Sequence, residues 1–286
     1  LYTGATKNGW TAYQQLFMGD NGENGASVEA VFPILQDGKT TASYGTSVFL
    51  INACYDAGAV VNSNGAKGGN LYDNANWGGV RARPNLIAKF FPNNNAPQVT
   101  AVEMPREAGD DRALFDGAGR DLKAVNSKDI AVFKKGYAVL KFNNFYSTGA
   151  AAHDLRFADT DFFMFRAAEA YLTYAEATAR TNGNQTTAEG TDLINQLHAR
   201  AHAQLRTTGA YSLDDILDEW SKEFYFEGRR RVDLIRFHKF GGNVNYNWAW
   251  KGGEVNGRNF SETRNIFAIP TSDLTVNPNL KQNAGY

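Results

Sequence analysis

The segment DTDFFMFRAAEAYLTYAEATARTNGN, residues 159–184, carries the clearest helical pattern of this 286-residue chain. Apolar side chains recur in it every three or four positions, at Phe165, Ala168, Leu172, Ala175 and Ala179. That spacing places them along one face of an α-helix, and Asn182 with Gly183 supplies a stop signal. We therefore predict a long amphipathic helix whose first turn is capped by Asp161.

Further helices follow closely along the chain. Thr186 with Glu189 three residues later forms a capping-box pattern for a second helix. Ser212 is placed to cap a third helix, LDDILDEWSKEFYFEG, and a fourth follows Gly228. Helices of similar length joined by short turns are typical of tetratricopeptide-type hairpins. We therefore predict a mainly α region over residues 151–286.

The remainder of the chain is less regular. Residues 1–25 hold a short amphipathic helix that reads as the middle of a helical unit, so we expect part of the protein to precede Leu1. Residues 26–150 are rich in asparagine and glycine, which suits turns. Within them, VEAVFPILQDG predicts a buried strand, and IAVFKKGYAVLKF predicts a hairpin around Lys135 and Gly136.

Composition excludes several classes of function. A net charge of -1 argues against nucleic acid as a partner, because phosphate binding needs an excess of lysine and arginine. No apolar stretch approaches the ~20 residues of a membrane-spanning helix. Cys54 is the only cysteine, which rules out an internal disulfide and a cysteine zinc site.

Residue types that carry catalysis or bind metals occur, but without the required patterns. His198 and His202 lie four positions apart, yet Ala199 stands where a metalloprotease helix has its glutamate, so we interpret the pair as a solvated helix face. Three glutamates recur every four residues: Glu219, Glu223 and Glu227. They share one helix face, whereas glycosidase carboxylates stand ~5–10 Å apart across a cleft. We predict no catalytic residue, no metal site and no cofactor.

The segment GGNLYDNANWGGVRARP, residues 68–84, combines aromatic and polar side chains between glycines. A flat ring suits the C–H face of a pyranose, and amides, carboxylates and guanidinium groups suit its hydroxyls. The predicted ligand-binding residues are Trp77, Tyr55 and Tyr72 for stacking, and Asp37, Asn74, Asn76, Arg81 and Arg83 for hydroxyl contacts. Two alternatives stay open: Trp77 or Tyr72 folds inward to anchor the loop, and Arg83 holds the helix that begins at Pro84.

Three blocks together resemble the SusD/RagB family of outer-membrane nutrient-binding lipoproteins. They are DTDFFMFRAAEAYLTYAEA, EFYFEGRRRVDLIRF and the ending FAIPTSDLTVNPNLKQNAGY, in that order along the chain. The upstream segments FPILQDGKTTASYGTSVFLI and NWGGVRARP are similar to the central region of the family. The ending departs slightly, because the family commonly has a proline before the position of Gly285.

The resemblance implies a fold: mainly α, SusD-like, with tetratricopeptide-type helical hairpins and a large loop-rich, partly β region carrying the ligand surface. Residues 1–286 are then the C-terminal part of one SusD-like domain. In that reading, residues 1–25 end the helical repeat region, 26–150 form the loop-rich ligand-binding region, and 151–286 form the helical C-terminal region with an extended tail.

The resemblance also implies a function. Family members pair with SusC-like TonB-dependent transporters at the cell surface of Bacteroidetes-type bacteria, attached by a lipidated N-terminus, which we expect to lie outside this sequence. We expect a non-catalytic protein that captures oligosaccharides, with starch or another α-glucan as the candidate ligand. The alternatives are a RagB-like peptide-binding component and a glycoside hydrolase.

The blocks that carry the resemblance also have structural interpretations. Charged residues in the second block are spaced for an ion-pair network, with Arg230 and Asp233 as the central pair. Pro270, Pro278 and Gly285 predict a tail without regular structure that wraps the helices. We interpret both features as scaffold.

Overall fold

A computed structural model describes residues 1–45, 47–56, 61–71, 77–123, 126, 128–242 and 246–286. It divides the chain into two compact units, Leu1–Gly228 and Arg229–Tyr286. The α-helices of the described residues are α1 (Ala12–Gln15), α2 (Ile51–Cys54), α3 (Pro84–Ile87), α4 (Met104–Ala108), α5 (Ala167–Thr181), α6 (Ala188–Arg200), α7 (Leu213–Phe224), α8 (Arg230–Arg236) and α9 (Thr271–Val276). Their strands are β1 (Ala30–Ile34), β2 (Arg81–Ala82), β3 (Phe115–Asp116), β4 (Tyr137–Val139) and β5 (Phe162–Arg166). None of these helices combines the length and apolar character that crossing a bilayer requires.

The three longest helices pack together in the first unit, with α5 in contact with both α6 and α7. The buried apolar residues of α5 are small or branched and recur at helical spacing: Ala168, Leu172, Ala175 and Ala179. A Cβ atom on Gly190 of α6 would lie 3.3 Å from the Cα atom of Ala175, so glycine permits this close approach. The predicted helical pattern is confirmed for these four residues, but Phe165 is wrong, because it precedes α5 in a strand and is 49% exposed.

The start of α5 differs from the prediction. Residues 162–166 form strand β5, and Arg166, not Asp161, occupies the N-cap position. Asp161 instead accepts a hydrogen bond from the backbone N–H of Gln36 at 2.7 Å. The aromatic run FFMFR favours an extended backbone, and pairing with β1 satisfies its backbone groups. Asp161 as a helix cap is therefore wrong.

The caps of α6 and α7 come from the predicted type of residue, with one shift in position. Thr187 caps α6, because its hydroxyl accepts the N–H of Gly190 at 3.1 Å; the prediction of Thr186 is one residue off. Ser212 caps α7 as predicted, and Asp215 completes a reciprocal capping box.

Strands β1 and β5 form a two-stranded antiparallel sheet in which Ala30 lies opposite Arg166 and Ile34 opposite Phe162. The predicted strand in VEAVFPILQDG exists, but its predicted burial is wrong. Val31 is 70% and Leu35 68% exposed, since a two-stranded ribbon is covered by the core on one face only.

The second sheet joins three short strands in the order β2-β4-β3. The central strand β4 pairs with segments that come earlier in the chain, and residues 129–131 form a 3-10 turn. The predicted hairpin around Lys135 and Gly136 is therefore wrong. A Cβ atom on Gly136 would lie 2.7 Å from the carbonyl oxygen of Ala82, so this glycine allows the close pairing of β4 with β2.

A buried ion-pair network lies inside the first unit, and we define it by Glu29, Asp110, Arg112, Lys141, Arg166, Arg200, Glu219, Glu223 and Glu227. The Nη1 atom of Arg166 lies 2.7 Å from Glu223 and 2.8 Å from Glu29. Burial opposes ionisation of Glu223, but Arg200, Arg166 and Arg112 hold the pKa of that carboxyl well below its usual range. The interpretation of Glu219, Glu223 and Glu227 as ion-paired is confirmed. Their predicted common helix face is wrong for Glu227, which lies beyond the end of α7 at Phe224.

The second unit is built around α8 and the C-terminal segment. Asp233 is buried and pairs with Arg229 at 3.3 Å and Arg236 at 3.0 Å. Arg230 donates instead to the hydroxyl of Tyr246 at 2.7 Å, so the predicted pair of Arg230 with Asp233 is wrong. Arg229 precedes Asp233 by four positions and Arg236 follows it by three, and on a helix both spacings place the side chains next to each other.

The tail contains regular structure, contrary to the prediction. Helix α9 begins directly after Pro270, a position that proline tolerates because the first helical N–H groups need no partner within the helix. At the chain end, the hydroxyl of Tyr286 donates to the carbonyl oxygens of Ile266 at 2.8 Å and Thr263 at 3.1 Å. These bonds hold the last residue to its own unit.

Candidate ligand-binding surface

Trp77 has an exposed side chain, and its backbone is held to α2. The backbone N–H of Trp77 donates to the carbonyl oxygen of Asn52 at 2.9 Å, and the backbone N–H of Gly78 donates to the carbonyl oxygen of Tyr55 at 2.7 Å. Gly78 has a φ of +57°, and a Cβ atom there would lie 3.1 Å from the ring of Phe133. The backbone is thus fixed while the indole remains 51% exposed.

Three further rings continue from Trp77 across the surface, and we call the four the aromatic row: Trp77, Phe49, Tyr44 and Phe157. The centroids of Trp77 and Phe49 are 5.2 Å apart, those of Phe49 and Tyr44 5.7 Å, and those of Tyr44 and Phe157 5.2 Å. Tyr44 is 47% exposed. Each distance is typical of rings in direct contact, so the row forms one continuous aromatic surface.

The row draws on three separate segments of the chain. The backbone N–H of Ala158, beside Phe157, donates to the carbonyl oxygen of Ser43 at 3.1 Å. This bond joins the segment that holds Phe157 to the segment that holds Tyr44. Val48, next to Phe49, is buried beneath the surface. Sequence reasoning missed Tyr44, Phe49 and Phe157. TASYGTSVFL offered a signal for the first two, two aromatic residues five positions apart, whereas nothing local marked Phe157.

Asp37 begins a turn that leads towards Tyr44. Its carboxylate accepts the N–H groups of Thr40 at 2.7 Å and Lys39 at 2.8 Å, and these hydrogen bonds lower the pKa of Asp37. The Nδ1 atom of His153 lies 3.3 Å from Asp37 and 3.1 Å from Asp159. One carboxylate oxygen of each aspartate and one ring nitrogen of the histidine all lie within 4.8 Å of one another, a spacing at which they could ligate one metal ion. Each of the three side chains also has a hydrogen-bond partner in the structure.

Arg81 and Arg83 connect the loop around Trp77 to a neighbouring segment. Arg81 donates to the carbonyl oxygen of Gly79 at 2.8 Å and to that of Ile130. Arg83 donates to the carbonyl oxygen of Lys135 at 2.7 Å and occupies the N-cap position of α3. Both guanidinium groups are partly buried, which lowers their pKa.

The remaining predicted contacts divide into two groups. Tyr55 is completely buried, so its ring cannot stack on a ligand, and its inclusion was wrong. The reason is that α2 turns this side chain into the core, where burial raises the pKa of its hydroxyl. Tyr72, Asn74 and Asn76 lie outside the described residues.

The two histidines near the end of α6 do not share a site. His198 is buried, with Nδ1 2.7 Å from the carbonyl oxygen of Gln204 and Nε2 3.0 Å from Glu219. His202 lies beyond the helix end and contacts Asp111 at 2.7 Å. The solvated-face interpretation is therefore wrong for His198, because the fold turns this part of α6 towards α7.

The aromatic row is a set of contacting rings, two of them about half exposed, and a surface of this kind is suited to a ligand with apolar faces. Comparison with known proteins assigns the family. The family model described as the SusD family matches residues 8–286, and the chain belongs to this family.

Individual relatives agree with that assignment. The chain is 37% identical over 305 residues to the starch-binding protein SusD of Bacteroides thetaiotaomicron, covering 96% of this chain and 52% of that protein. A SusD superfamily protein from Parabacteroides distasonis has a TM-score of 0.55 at 19% identity, covering 100% of this chain and 54% of its own. A SusD superfamily protein from Bacteroides vulgatus has a TM-score of 0.55 at 20% identity, and the match covers 96% of this chain and 49% of that protein.

The comparisons confirm the predicted fold class, which is mainly α and SusD-like. The chain spans about half the length of the relatives it matches.

Proposed function

We propose that this protein is a non-catalytic, cell-surface glycan-binding protein that captures oligosaccharides, with starch-type α-glucan as its ligand. The observation that carries the proposal is the aromatic row, in which Trp77 and Tyr44 are about half exposed. Such rings stack on the apolar C–H faces of pyranose units. The starch-binding name of the relative from Bacteroides thetaiotaomicron supports the choice of ligand.

Polar groups beside the row complete the proposed site. Arg81 and Arg83 lie in the same segment as Trp77, where both donate to backbone carbonyls, and they remain proposed contacts to ligand hydroxyls. Asp37 sits in the turn that precedes Tyr44 and offers a carboxylate acceptor. Tyr72, Asn74 and Asn76 remain proposed contacts from the loop before Trp77.

The proposal assigns no reaction to the protein. The most concentrated carboxylates, Glu219, Glu223 and Glu227, are buried against arginine and lysine side chains. A general acid or nucleophile must reach the glycosidic bond, which these groups cannot do from the core.

Capture serves uptake in this proposal. The family resemblance implies that the bound oligosaccharide passes to a SusC-like TonB-dependent transporter in the outer membrane. Membrane attachment through a lipidated N-terminal segment, outside these 286 residues, is part of the same proposal.

Calorimetry combined with product analysis tests the function. Titration with maltoheptaose should release heat of binding, and overnight incubation should leave the oligosaccharide intact on chromatography. A cello-oligosaccharide of equal length serves as the matched control for linkage. New reducing ends would show a hydrolase, and binding of peptides without binding of any glycan would show a RagB-like role.

A further inference from the structure

Charge is divided unequally between the two units. Residues Arg229–Tyr286 contain nine lysines and arginines against four carboxylates, a net charge of +5. Residues Leu1–Gly228 contain 20 against 26, a net charge of -6. Such an asymmetry points to an anionic partner for the second unit.

Part of this positive charge has a structural role inside the unit. Arg229 and Arg236 neutralise the buried carboxylate of Asp233, and Arg230 bonds the hydroxyl of Tyr246. The other three arginines line one cavity of about 320 Å³, together with apolar and aromatic side chains. We define the arginine cavity by Arg231, Arg258, Arg264, Phe240, Phe260 and Phe267.

Aromatic rings orient the arginines without neutralising them. The guanidinium carbon of Arg231 lies 3.9 Å from the ring centroid of Phe267 and 5.0 Å from that of Phe240. One Nη2 donor of Arg231 reaches the carbonyl oxygen of Arg264 at 2.7 Å. Within the described residues, neither Arg231 nor Arg264 forms an ion pair with a carboxylate.

The third arginine is only weakly paired. Arg258 lies 3.6 Å from Glu254, with the side chains 59% and 58% exposed, a geometry that contributes little stabilisation. Charged donors in a fixed fork recognise carboxylates in a bidentate manner. The arginine cavity therefore presents guanidinium N–H groups that, among the described side chains, form at most a weak ion pair, next to apolar side chains.

We propose that the arginine cavity binds an acidic peptide segment of a partner protein. One apolar side chain of the segment packs in the cavity against Phe240, Phe260 and Phe267, and flanking carboxylates bind the three guanidinium groups. The volume admits one large side chain, and Phe267 is 72% exposed. Arginine and aromatic residues are also the types enriched where protein interfaces carry most of their binding energy.

Fluorescence anisotropy with a labelled Asp-Glu-Phe-Glu-Asp peptide and the complete 286-residue chain tests the proposal. We expect saturable binding that weakens at least about tenfold in Arg264→Glu and in Phe267→Ser. Lys281→Glu is the matched control, because it makes the same charge change at an exposed site outside the cavity. Its binding should stay within about twofold of the parent.

Two further probes separate the contributions. Asn-Gln-Phe-Gln-Asn lacks the carboxylates, and Asp-Glu-Ala-Glu-Asp lacks the apolar side chain, so each should bind more weakly than the full peptide. Equal binding of the neutral peptide, or equal loss in Lys281→Glu and Arg264→Glu, would overturn the proposal. Full competition by inorganic phosphate with no effect of Phe267→Ser would also overturn it, in favour of a simple anion site. Unchanged circular dichroism of each variant confirms that the fold is retained.

Discussion

The aromatic residues discussed for the candidate ligand-binding surface differ widely in exposure. Trp77 and Tyr44 keep about half of their side chains in solvent, whereas Tyr55 keeps none. The exposed rings have apolar area available for a ligand, while the buried ring contributes its area to the core. Substitution of Trp77 or Tyr44 should therefore lower ligand affinity, whereas substitution of Tyr55 should lower the stability of the fold.

Replacing Trp77 by alanine should weaken binding of maltoheptaose at least about tenfold, because an aromatic anchor in a binding patch is commonly worth ~2 kcal/mol. The melting temperature should change little, since the indole is half exposed. Calorimetry and thermal unfolding on the same variant measure both quantities. Phe267→Ala, an exposed aromatic of the second unit, is the matched control for glycan binding. Unchanged affinity in Trp77→Ala would contradict the proposed site.

Asp233→Asn should destabilise the protein by ~3–5 kcal/mol, because Arg229 and Arg236 lose the buried carboxylate between them. Chemical denaturation measures this loss, and glycan affinity of the folded protein should not change. Asp273→Asn, an exposed acid in α9, provides the control with little expected effect. A stable Asp233→Asn variant without glycan binding would show that this block is not scaffold.

Elements of the first unit begin where hydrogen-bond partners are available. Residues 162–166 have an extended partner in β1, so they form β5, and α5 starts only after Arg166. Helix α7 has no strand before it, and the capping box of Ser212 and Asp215 sets its start. Local sequence therefore determines the start of α7 more fully than that of α5.

Ser212→Ala should cost about 1 kcal/mol of stability, since the N–H of Asp215 loses its acceptor at the start of α7. Ser272→Ala is the matched control, because Ser272 is exposed and does not cap α9. Urea denaturation of both variants measures the difference. Equal stability of the two variants would show that the capping box has no energetic role.

Across the first unit, the buried ion-pair network joins segments that are distant in the chain. Glu29 contacts Arg166 at 2.8 Å although 137 positions separate them. Arg112 contacts Glu219 at 3.0 Å across 107 positions. Within the first unit, the predicted region 26–150 thus shares one core with residues 151–228. The boundaries at residues 26 and 151 remain a prediction that rests on the change of sequence pattern along the chain.

Acid should destabilise the protein through this network. Burial opposes ionisation of Glu29, Glu219 and Glu223, but their arginine and lysine partners lower the pKa of all three. The unfolded chain then binds protons at higher pH than the native state does. The stabilisation is present above the unfolded pKa of about 4.3 and is lost as pH falls below it.

Thermal unfolding between neutral pH and about pH 3 measures this effect. The melting temperature should fall steeply in the acidic range, and Glu29→Gln should reduce the slope and lower the melting temperature at neutral pH. Burial raises the pKa of Asp116 and Asp161, which contributes a slope of opposite sign. A melting temperature that rises on acidification would mean that those two groups outweigh the network.

The candidate site shows what sequence analysis could and could not reach. Trp77 was predicted because its own neighbours, glycines and polar residues, mark an irregular exposed loop. Phe157 could not be predicted, because its contact with Tyr44 joins residues 113 positions apart. The burial of Tyr55 depends on which way α2 faces, and four residues are too few for a reliable period.

By itself the sequence determined the helical pattern of α5 to α7, the cap at Ser212, the proline at the start of α3 and the family. Each of these depends on residues within a few positions, since a helix bonds each N–H to a carbonyl four residues earlier. Only the tertiary structure decided the pairing of β1 with β5, the partners of the buried glutamates and the assembly of the aromatic row. These contacts join segments far apart in the chain, and packing of the whole core selects them, so no local spacing encodes them.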